Sequence, residues 1–264
     1  MKIHGCTALV TGASAGIGQE FARQLAAHAR TVVLIARREE RLIQLRDELI
    51  AAHPSLQVYV RRVDLCDSRQ IRELCDWLTT EKIIIDLLIN NAGLGDLGTF
   101  DTADAARLEE IVLVNANALT LLTRALLPGM ISRRNGGILN VSSCAGFLPI
   151  PDFAVYAASK AYVTSFSEAL RVETRGTGVT VTALCPGPVH TEFTKVAAGT
   201  RPQHYPSPEW VHVPATDVAR AGLDALEQDR AVVIPGIVMK VAMFFTRLTP
   251  MPLLRLAGRF RRRS

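Results

Sequence analysis

Cysteine and histidine are scarce in this sequence, and neither type has the spacing of a disulfide framework or a metal site. The five cysteines form no CxxC pair and are odd in number. The six histidines form no HxH or HxxxH pair. We therefore expect reduced thiols, and we predict no structural or catalytic metal.

Long uncharged runs are also missing. No stretch of eighteen or more residues lacks a charged side chain, so we predict no membrane span. The N-terminus runs directly into an apolar segment, without the basic region and cleavage site of a signal peptide. With 48% hydrophobic and only 6% aromatic residues, the composition is typical of a globular protein with an aliphatic core. A cytoplasmic location is expected.

Acidic residues are absent after residue 236, whereas that segment carries seven bases: Lys240, Arg247, Arg255, Arg259, Arg261, Arg262 and Arg263. The formal charge of the chain is +5, so residues 1–236 alone carry −2. Because the basic character belongs to the tail and not to the body, no nucleic-acid-binding fold is predicted.

Short apolar runs alternate with longer amphipathic stretches along the chain. The runs at 7–12, 31–36, 58–65, 83–90, 137–143, 179–185 and 231–234 predict strands. The stretches at 16–29, 39–52, 69–80, 103–115, 117–134, 154–175 and 216–228 predict helices. This alternation indicates an α/β fold with a doubly wound, Rossmann-type parallel sheet of about seven strands and helices on both faces. No linker or repeat interrupts it, which predicts one domain over 1–236 and a C-terminal helical extension over 237–264.

A glycine-rich turn, TGASAGIG at 11–18, separates the first strand from the first helix. Glycines allow a pyrophosphate to approach the backbone closely, and the helix N-terminus offers free N–H groups with a partial positive charge. The hydroxyls of Thr11 and Ser14 are further candidate donors. A glycine-rich turn without a ligand is the alternative.

The residues at the end of the second strand indicate which dinucleotide would bind. An acid there would bond the ribose hydroxyls of NAD, whereas an arginine accommodates the 2′-phosphate of NADP. The chain has Ala36 at that position, followed by Arg37 and Arg38, so NADP is favoured. The alternative is that both arginines only solvate the start of a helix.

The pentapeptide YAASK places Lys160 four residues after Tyr156. On a helix both side chains lie on one face, one turn apart. An ammonium beside a phenol favours the phenolate, so we expect the pKa of Tyr156 to fall from about 10 toward neutrality.

These motifs occur in an order that resembles the short-chain dehydrogenase/reductase family, in its compact one-domain form. The match runs from about residue 5 to 236 and includes TGASAGIG, Asp64-Leu65, NNAG at 90–93, Asn115, Ser143, YAASK and PGPVHT at 186–191. One departure weakens the NADP prediction, since Ala15 stands where many NADP enzymes of this family carry a base.

The resemblance implies a role for each matching residue. Tyr156 would be the general acid/base, Lys160 would lower its pKa and hold the nicotinamide ribose, and Ser143 would bind the substrate oxygen. Asn115 would position a water that relays protons to Lys160. The implied cofactor-binding residues are Gly12, Ser14, Gly16, Ile17, Gly18, Arg37, Arg38, Asp64 (adenine amino group), Leu65, Asn91, Ala92 and Gly93 (adenine ribose), Tyr156, Lys160, Pro186, Gly187, Val189 and Thr191 (carboxamide or phosphate).

Simpler interpretations stay open for several of them. Asp64 has the chemistry of a helix N-cap, and Asn90 and Asn91 that of turn residues. Asn115 could be a buried polar group with a local bond. Ser142 is a neighbour of Ser143, but strand alternation directs only one of the two hydroxyls toward Tyr156, and we favour Ser143.

The substrate pocket is expected beyond the carboxyl ends of the strands. Phe147, Leu148, Pro149, Ile150 and Phe153 would form an apolar wall. The polar, proline-rich stretch 195–214, with Tyr205 and Trp210, is predicted to be a lid. A hydrophobic carbonyl or alcohol is the expected substrate, although Arg201 and His204 could anchor an acid.

The tail allows two interpretations. Ile237, Val241, Phe244, Phe245 and Leu248 share one helix face, with Lys240 and Arg247 elsewhere, and a second basic amphipathic piece follows Pro252. The apolar faces either pack over the cleft or a partner subunit, or lie as a peripheral contact on an anionic membrane.

The function predicted from the sequence is an NADP(H)-dependent oxidoreductase that interconverts a hydrophobic ketone or aldehyde and its alcohol. A homodimer or homotetramer is expected from the resemblance. The alternative is a non-catalytic dinucleotide-sensing or scaffold module, which we would expect to lack the Tyr156/Lys160 pair.

Overall fold

The computed structural model describes residues 1–199, 208–250 and 252–253. Its centre is a sheet of seven parallel strands in the order β3-β2-β1-β4-β5-β6-β7. The strands are β1 Thr7–Thr11, β2 Thr31–Ala36, β3 Gln57–Arg62, β4 Leu87–Asn90, β5 Gly136–Val141, β6 Val179–Leu184 and β7 Val232–Val233. The doubly wound fold is thereby confirmed.

Helices connect the strands and cover both faces of the sheet. They are α1 Gly16–Ala26, α2 Glu39–Ala52, α3 Ser68–Thr80, α4 Ala105–Val112, α5 Leu119–Ser132, α6 Ala154–Glu173, α7 Glu192–Ala198, α8 Ala215–Glu227 and α9 Ile237–Leu248. One core packs α1, α2 and α8 on the sheet through residues such as Phe21, Leu45 and Leu223. The other packs α3, α5 and α6 through residues such as Leu74, Leu122 and Leu170.

Two strands have half their predicted length, and β1, β3, β5 and β6 each end one to three residues early. β4 begins at Leu87 because Asp86 turns its carboxylate to the backbone N–H of Thr7, at 3.0 Å, and Ile84 is 54% exposed. At the sheet edge, β7 keeps only two residues that pair with β6. Apolar content at 83–86 therefore predicted a strand where the chain is still approaching the sheet.

The helices predicted at 103–115 and 117–134 form one continuous helical stretch, joined by a π-helical turn at Leu113–Ala118. The stretch Ala105–Ser132 is long and apolar enough to cross a membrane by length and composition. However, its inner side, including Val114, Ala118 and Met130, packs in the second core. One side of the stretch is therefore part of the protein core.

The strand order reverses direction between β1 and β4. Thr11 ends β1 and Asn90 ends β4, so the segments that follow them diverge to opposite sides of a crevice. In open α/β sheets ligands bind at such a point, outside the carboxyl ends of the strands.

Candidate active site

A cleft of about 940 Å³ lies at this reversal point. Its walls come from the loops that follow β1 to β6, together with α6, α7 and α9. Most of the predicted cofactor residues line it: Gly12, Ser14, Gly16, Ile17, Arg37, Arg38, Asp64, Leu65, Asn91, Ala92, Gly93, Tyr156, Lys160, Pro186, Gly187, Val189 and Thr191. Gly18 does not, because it packs against the carbonyl of Gly12 and the amide of Asn91 behind the turn.

The glycine-rich turn leaves the start of α1 open toward the cleft. Ala15 occupies the N-cap position with no side-chain cap, and the first turn of α1 contains no acid. Gly16 has φ of +57°, and a Cβ there would lie 3.0 Å from Thr191 Cγ2. The helix N–H groups and their partial charge are thus left for an anion, as a pyrophosphate site requires.

Thr11 does not act as a donor to this site. Its hydroxyl donates to the carbonyl of Ile89 and accepts from the N–H groups of Asn91 and Ala92, both at 2.9 Å. The prediction of Thr11 as a phosphate donor was wrong, because this side chain is 2% exposed and ties β1 to the loop after β4.

Arg37 and Arg38 reach the cleft at the end of β2. Arg38 donates to the Ser14 hydroxyl at 3.3 Å and pairs with Glu192 of α7 at 2.8 Å. Arg41 pairs with the same carboxylate at 2.8 Å, and the two guanidinium groups lower the pKa of Glu192 to about 2. Arg37 makes no hydrogen bond or ion pair with the residues that the structure describes. The site is therefore cationic where a 2′-phosphate would lie.

Asp64 accepts a hydrogen bond from the N–H of Cys66 at 3.0 Å, while Asp67 is the residue that caps α3. The N-cap alternative for Asp64 is therefore wrong. Asn91 donates to the carbonyl of Thr11 at 2.9 Å, so its side chain fixes the glycine-rich turn against the loop after β4. Asn90 instead points into the core and donates to Asn140.

Tyr156 and Lys160 occupy one face of α6, as predicted, and both are buried. The Tyr156 ring stacks on Phe153, at 4.2 Å between centroids, and contacts Phe193 of α7 at 5.2 Å. The Lys160 ammonium donates to the carbonyl of Val141 at 2.8 Å and lies 5.7 Å from the centre of the Tyr156 ring.

The pKa of Tyr156 moves opposite to our expectation. Burial raises it to about 12, and the neighbouring Ser143 hydroxyl only partly opposes that change. Burial also lowers the pKa of Lys160 to about 8. Desolvation disfavours the charged form of each group and is the largest cause of both shifts.

Ser143 and Ser142 face different ways, as strand alternation requires. Ser142 donates to the carbonyl of Lys160 at 2.8 Å and bonds Thr164 at 2.7 Å, so it holds α6 against β5. Ser143 caps the short 3₁₀ turn at Cys144–Phe147 and lies beside the Tyr156 phenol. This placement favours Ser143 over Ser142 as the hydroxyl that meets a substrate.

Asn115 lies in the π-helical turn and is 2% exposed. Its side chain accepts from the N–H of Leu94 at 2.8 Å and donates to the carbonyl of Leu94 and to Ser159, each at 2.9 Å. A Cβ on Gly93 would lie 3.3 Å from Lys160 Nζ and 3.6 Å from Asn115 Oδ1. Asn115 is therefore a buried polar group, but its bonds are not local, because the partners lie 21 and 44 residues away along the chain. The amide also faces the lysine across Gly93.

The other half of the cleft is apolar. Leu148, Ile150 and Phe153 line it as predicted, whereas Phe147 instead lies beneath the Arg247 guanidinium, 5.4 Å from its ring centre. Pro149 does not line the cleft, and Trp210 is 70% exposed. Tyr205, Arg201 and His204 fall outside the described residues, as does the middle of the predicted lid, 200–207.

Sequence reasoning missed several residues of this apolar half: Leu97, Arg107, Phe193, Val196, Met239 and Met243. Phe193 lies two residues after the end of the PGPVHT motif at Thr191, and this nearness was its signal in the sequence. Met239 and Met243 could not be assigned, because the apolar face read from the tail was the opposite one.

His190, Glu209 and His212 bring their ligand atoms within 4.8 Å of one another beside the cleft. His190 Nε2 lies 3.0 Å from Glu209 Oε2, and the two imidazole rings stack at 4.1 Å and 10°. The lone pairs of parallel stacked rings do not converge on one point, so we assign no metal to this cluster.

Comparison with known proteins shows the family to which the chain belongs. The family model for short chain dehydrogenases matches residues 6–201. The NADP-dependent 3-hydroxy acid dehydrogenase YdfG of Escherichia coli strain K12 is 40% identical over 192 residues, which are 71% of this chain and 75% of YdfG. The chain belongs to the short-chain dehydrogenase/reductase family. It is an NAD(P)-dependent oxidoreductase.

Structures of this family superimpose over nearly the whole chain. A short-chain dehydrogenase from Sphingobium yanoikuyae in complex with NADPH has a TM-score of 0.80 at 29% identity, covering 92% of this chain and 94% of that one. A family member from Burkholderia phymatum in complex with NAD has 0.81 at 27% identity, covering 92% and 93%. The bulky-bulky ketone specific alcohol dehydrogenase from Comamonas testosteroni has 0.75 at 26% identity, covering 93% and 95%.

Proposed function

We propose that this short-chain dehydrogenase is an NADP(H)-dependent enzyme that interconverts a hydrophobic ketone or aldehyde and its alcohol, with Tyr156 as general acid/base. The observation that carries the proposal is the position of the Tyr156 phenol. It lies beside Ser143 and Lys160, at the boundary between a glycine-rich anion site and an apolar half-cleft.

The residues present fit a bound dinucleotide. The uncapped start of α1 suits a pyrophosphate, and Arg37 and Arg38 suit a phosphate on the adenosine ribose. Lys160 and Tyr156 lie at the far end, where a nicotinamide ribose would reach them. The cofactor would supply or accept the hydride, which is chemistry that no side chain of this protein can perform.

Tyr156 has the protonation state that carbonyl reduction needs. Its pKa of about 12 keeps the phenol protonated at neutral pH, so it can donate its proton to the substrate oxygen. In the oxidation direction the same oxygen must first lose that proton. Oxidation is therefore expected to gain rate with rising pH.

The neighbouring side chains support that proton transfer. The Ser143 hydroxyl is placed to hydrogen-bond the substrate oxygen and stabilise the charge that develops there. Lys160 is placed to hold the ribose hydroxyls and to return a proton to Tyr156. Asn115, which faces Lys160 across Gly93, would position a water that connects the lysine to solvent.

The apolar half-cleft supports a hydrophobic substrate. Arg107 is the one described cation in it, and Arg107 is already engaged with Glu110 at 2.8 Å and with the carbonyl of Gly95 at 3.1 Å. A carboxylate substrate, such as the 3-hydroxy acid in the name of YdfG, would find no unpaired cation among the described residues of this half. Bulky ketones, the substrates named for the Comamonas enzyme, match the lining better.

Replacing Tyr156 by Phe tests the function. The variant keeps the ring that stacks on Phe153 but loses the proton, so turnover should fall by about 10²–10⁴-fold. Tyr162→Phe is the matched control, because that hydroxyl also lies on α6 but bonds Thr120 at 2.7 Å. Both variants should still bind NADPH, as measured by fluorescence titration.

Turnover is measured with a panel of uncharged aryl and alkyl ketones beside keto and hydroxy acids. We expect higher kcat/KM for the uncharged compounds. Equal turnover of wild type and Tyr156→Phe across the panel would contradict the catalytic role. The expected homodimer or homotetramer and the cytoplasmic location remain predictions.

A further inference from the structure

Helix α9 has two apolar faces, one turned toward the cleft and the other toward solvent. Met239 and Met243 point inward, where Met243 is 7% exposed and Met239 contacts the cleft loop at Gly187. The apolar face identified from the sequence points outward instead. Ile237 is 73% exposed, Phe245 62% and Leu248 65%. The predicted packing of the Ile237, Val241, Phe244, Phe245 and Leu248 face over the cleft is therefore wrong, because Met239 and Met243 occupy that position. The described residues leave the predicted face uncovered.

The outward face is a contiguous apolar surface. Ile237, Val241, Phe244, Phe245 and Leu248 recur at spacings of three and four residues, and each is exposed. Monomeric globular proteins rarely leave such a patch uncovered unless it binds something. The patch therefore needs an occupant.

The charges beside the patch indicate what that occupant is. Lys240 and Arg247 lie along one edge of it, between the apolar face and the buried methionine face. Five more arginines follow at Arg255, Arg259, Arg261, Arg262 and Arg263, and no acid occurs after residue 236. An apolar helix face with bases at its edge, followed by a basic segment, is the arrangement that binds an anionic lipid surface.

A second copy of this chain is a poorer occupant. In a symmetric dimer the same patch would meet itself, so the bases of one tail would lie against those of the other. With no acid after residue 236, that segment offers nothing to neutralise them.

We propose that the outward face of α9 docks this protein peripherally on anionic membranes. The outward face of α9 enters the boundary between headgroups and acyl chains. The inward face stays on the cleft through Met239 and Met243, so the docked helix is a wall of the active site. This proposal does not depend on the substrate or cofactor proposed above.

Vesicle co-sedimentation of the full chain tests it. Phosphatidylcholine vesicles with about a third phosphatidylglycerol should pull down the protein, whereas pure phosphatidylcholine vesicles should not. Binding should weaken at high salt, because surface charges are screened. The double variant Phe244→Ser/Phe245→Ser should partition about tenfold less. Ile84→Ser, at an equally exposed apolar residue (54%) remote from α9 in sequence, is the matched control and should bind like wild type.

Circular dichroism and NADPH titration establish that each variant is folded. Equal sedimentation of wild type and double variant on anionic vesicles would overturn the proposal. So would the absence of binding to either vesicle. A dimer that the double variant converts to monomer, without any vesicle binding, would assign the patch to a second copy instead.

Discussion

Lys160 is the buried base on which the site's electrostatics depend. Its folded-state pKa of about 8 lies below the unfolded value of about 10.5, so burial penalises the charged form at low pH. The penalty is complete below pH 8 and disappears as the pH rises toward 10.5. The protein therefore gains stability from this residue as the pH is raised through that window.

The variant Lys160→Met isolates this effect. The difference in the free energy of unfolding, wild type minus variant, should rise by roughly 1 kcal/mol between pH 7 and pH 9. Urea denaturation of the cofactor-free proteins at both pH values measures it. Tyr156 does not interfere, because its pKa is higher. A difference that stays constant between pH 7 and pH 9 would contradict the lowered pKa, because it would show that Lys160 keeps its proton in the folded protein as well as in the unfolded one.

Substitutions at Arg38 and Glu192 should change the affinity for NADPH in opposite directions. Arg38→Ala removes a cation from the site of the 2′-phosphate, so the Kd for NADPH should rise by about tenfold or more, with little change for NADH. Glu192→Gln removes the carboxylate that competes for Arg38, so NADPH should bind up to about fivefold more tightly.

Fluorescence titration with both dinucleotides measures these changes. Arg46→Ala in α2, the helix that begins after Arg38, is the control. The Arg46 guanidinium pairs with Asp47, so this substitution should change neither Kd. Equal loss of NADPH and NADH affinity in Arg38→Ala would mean that the arginine supports the fold of the loop instead of reading the phosphate.

Residue identities could be predicted where a side chain has a local reason for its position. The Tyr156/Lys160 face and the choice of Ser143 follow from helix and strand periodicity. The burial-driven pKa of Tyr156 could not be foreseen, because it depends on Phe153 and on Phe193, which reaches the phenol from a different helix. Thr11 was misassigned for the same reason, since its partners lie about eighty residues away.

Among the elements, the 3₁₀ turn at Cys144–Phe147 sets the distance from Ser143 to Tyr156. It packs directly on the backbone of α6: a Cβ on Gly146 would lie 2.7 Å from both the carbonyl carbon and the oxygen of Lys160. No flexible side chain can absorb that overlap. Only glycine permits this close approach.

Gly146→Ala should therefore separate the turn from α6. We expect a loss of about 1–3 kcal/mol in the free energy of unfolding and a large fall in turnover. Gly129→Ala in α5 is the contrast, since its Cβ would meet only the mobile end of Arg133, at 3.0 Å. That substitution should gain up to about 1 kcal/mol from helix propensity. Urea denaturation of both variants decides, and equal stabilities would contradict the packing argument.

Element type was predictable where periodicity was long, and element ends were less so. The strand at 31–36 and the helix at 39–52 have their predicted bounds, because caps or breaks flank a clear pattern. The π-helical turn that carries Asn115 leaves no trace in hydrophobic periodicity, since one extra residue in a turn is a detail of backbone bonding. The outward orientation of α9 was equally hidden, because two of its faces are apolar.

At the scale of the whole molecule, the pKa values of the five thiols show how far the fold excludes solvent from them. All are unpaired, and burial raises the pKa of each: to about 12 for Cys6 and Cys144 and about 11 for Cys66 and Cys185, with Cys75 shifted in the same direction. Few thiolates therefore exist at neutral pH.

We expect a disulfide reagent such as DTNB to label the native protein slowly at pH 7.5, with the half-buried Cys66 and Cys75 first. All five thiols should react at once in urea. A thiol that reacts within seconds in the native state would reveal local opening of the sheet or its helices.

The reversal between β1 and β4 has a mechanical consequence for the molecule. A dinucleotide in the cleft would touch loops from both halves of the sheet, such as Gly12 on one side and Thr191 on the other. It would then add contacts between two halves of the sheet that meet at the β1–β4 ladder, in which β4 pairs three residues with β1. A dinucleotide concentration of a hundred times Kd would add about 2.7 kcal/mol to the free energy of unfolding. Melting temperature is thus a direct gauge of cofactor preference.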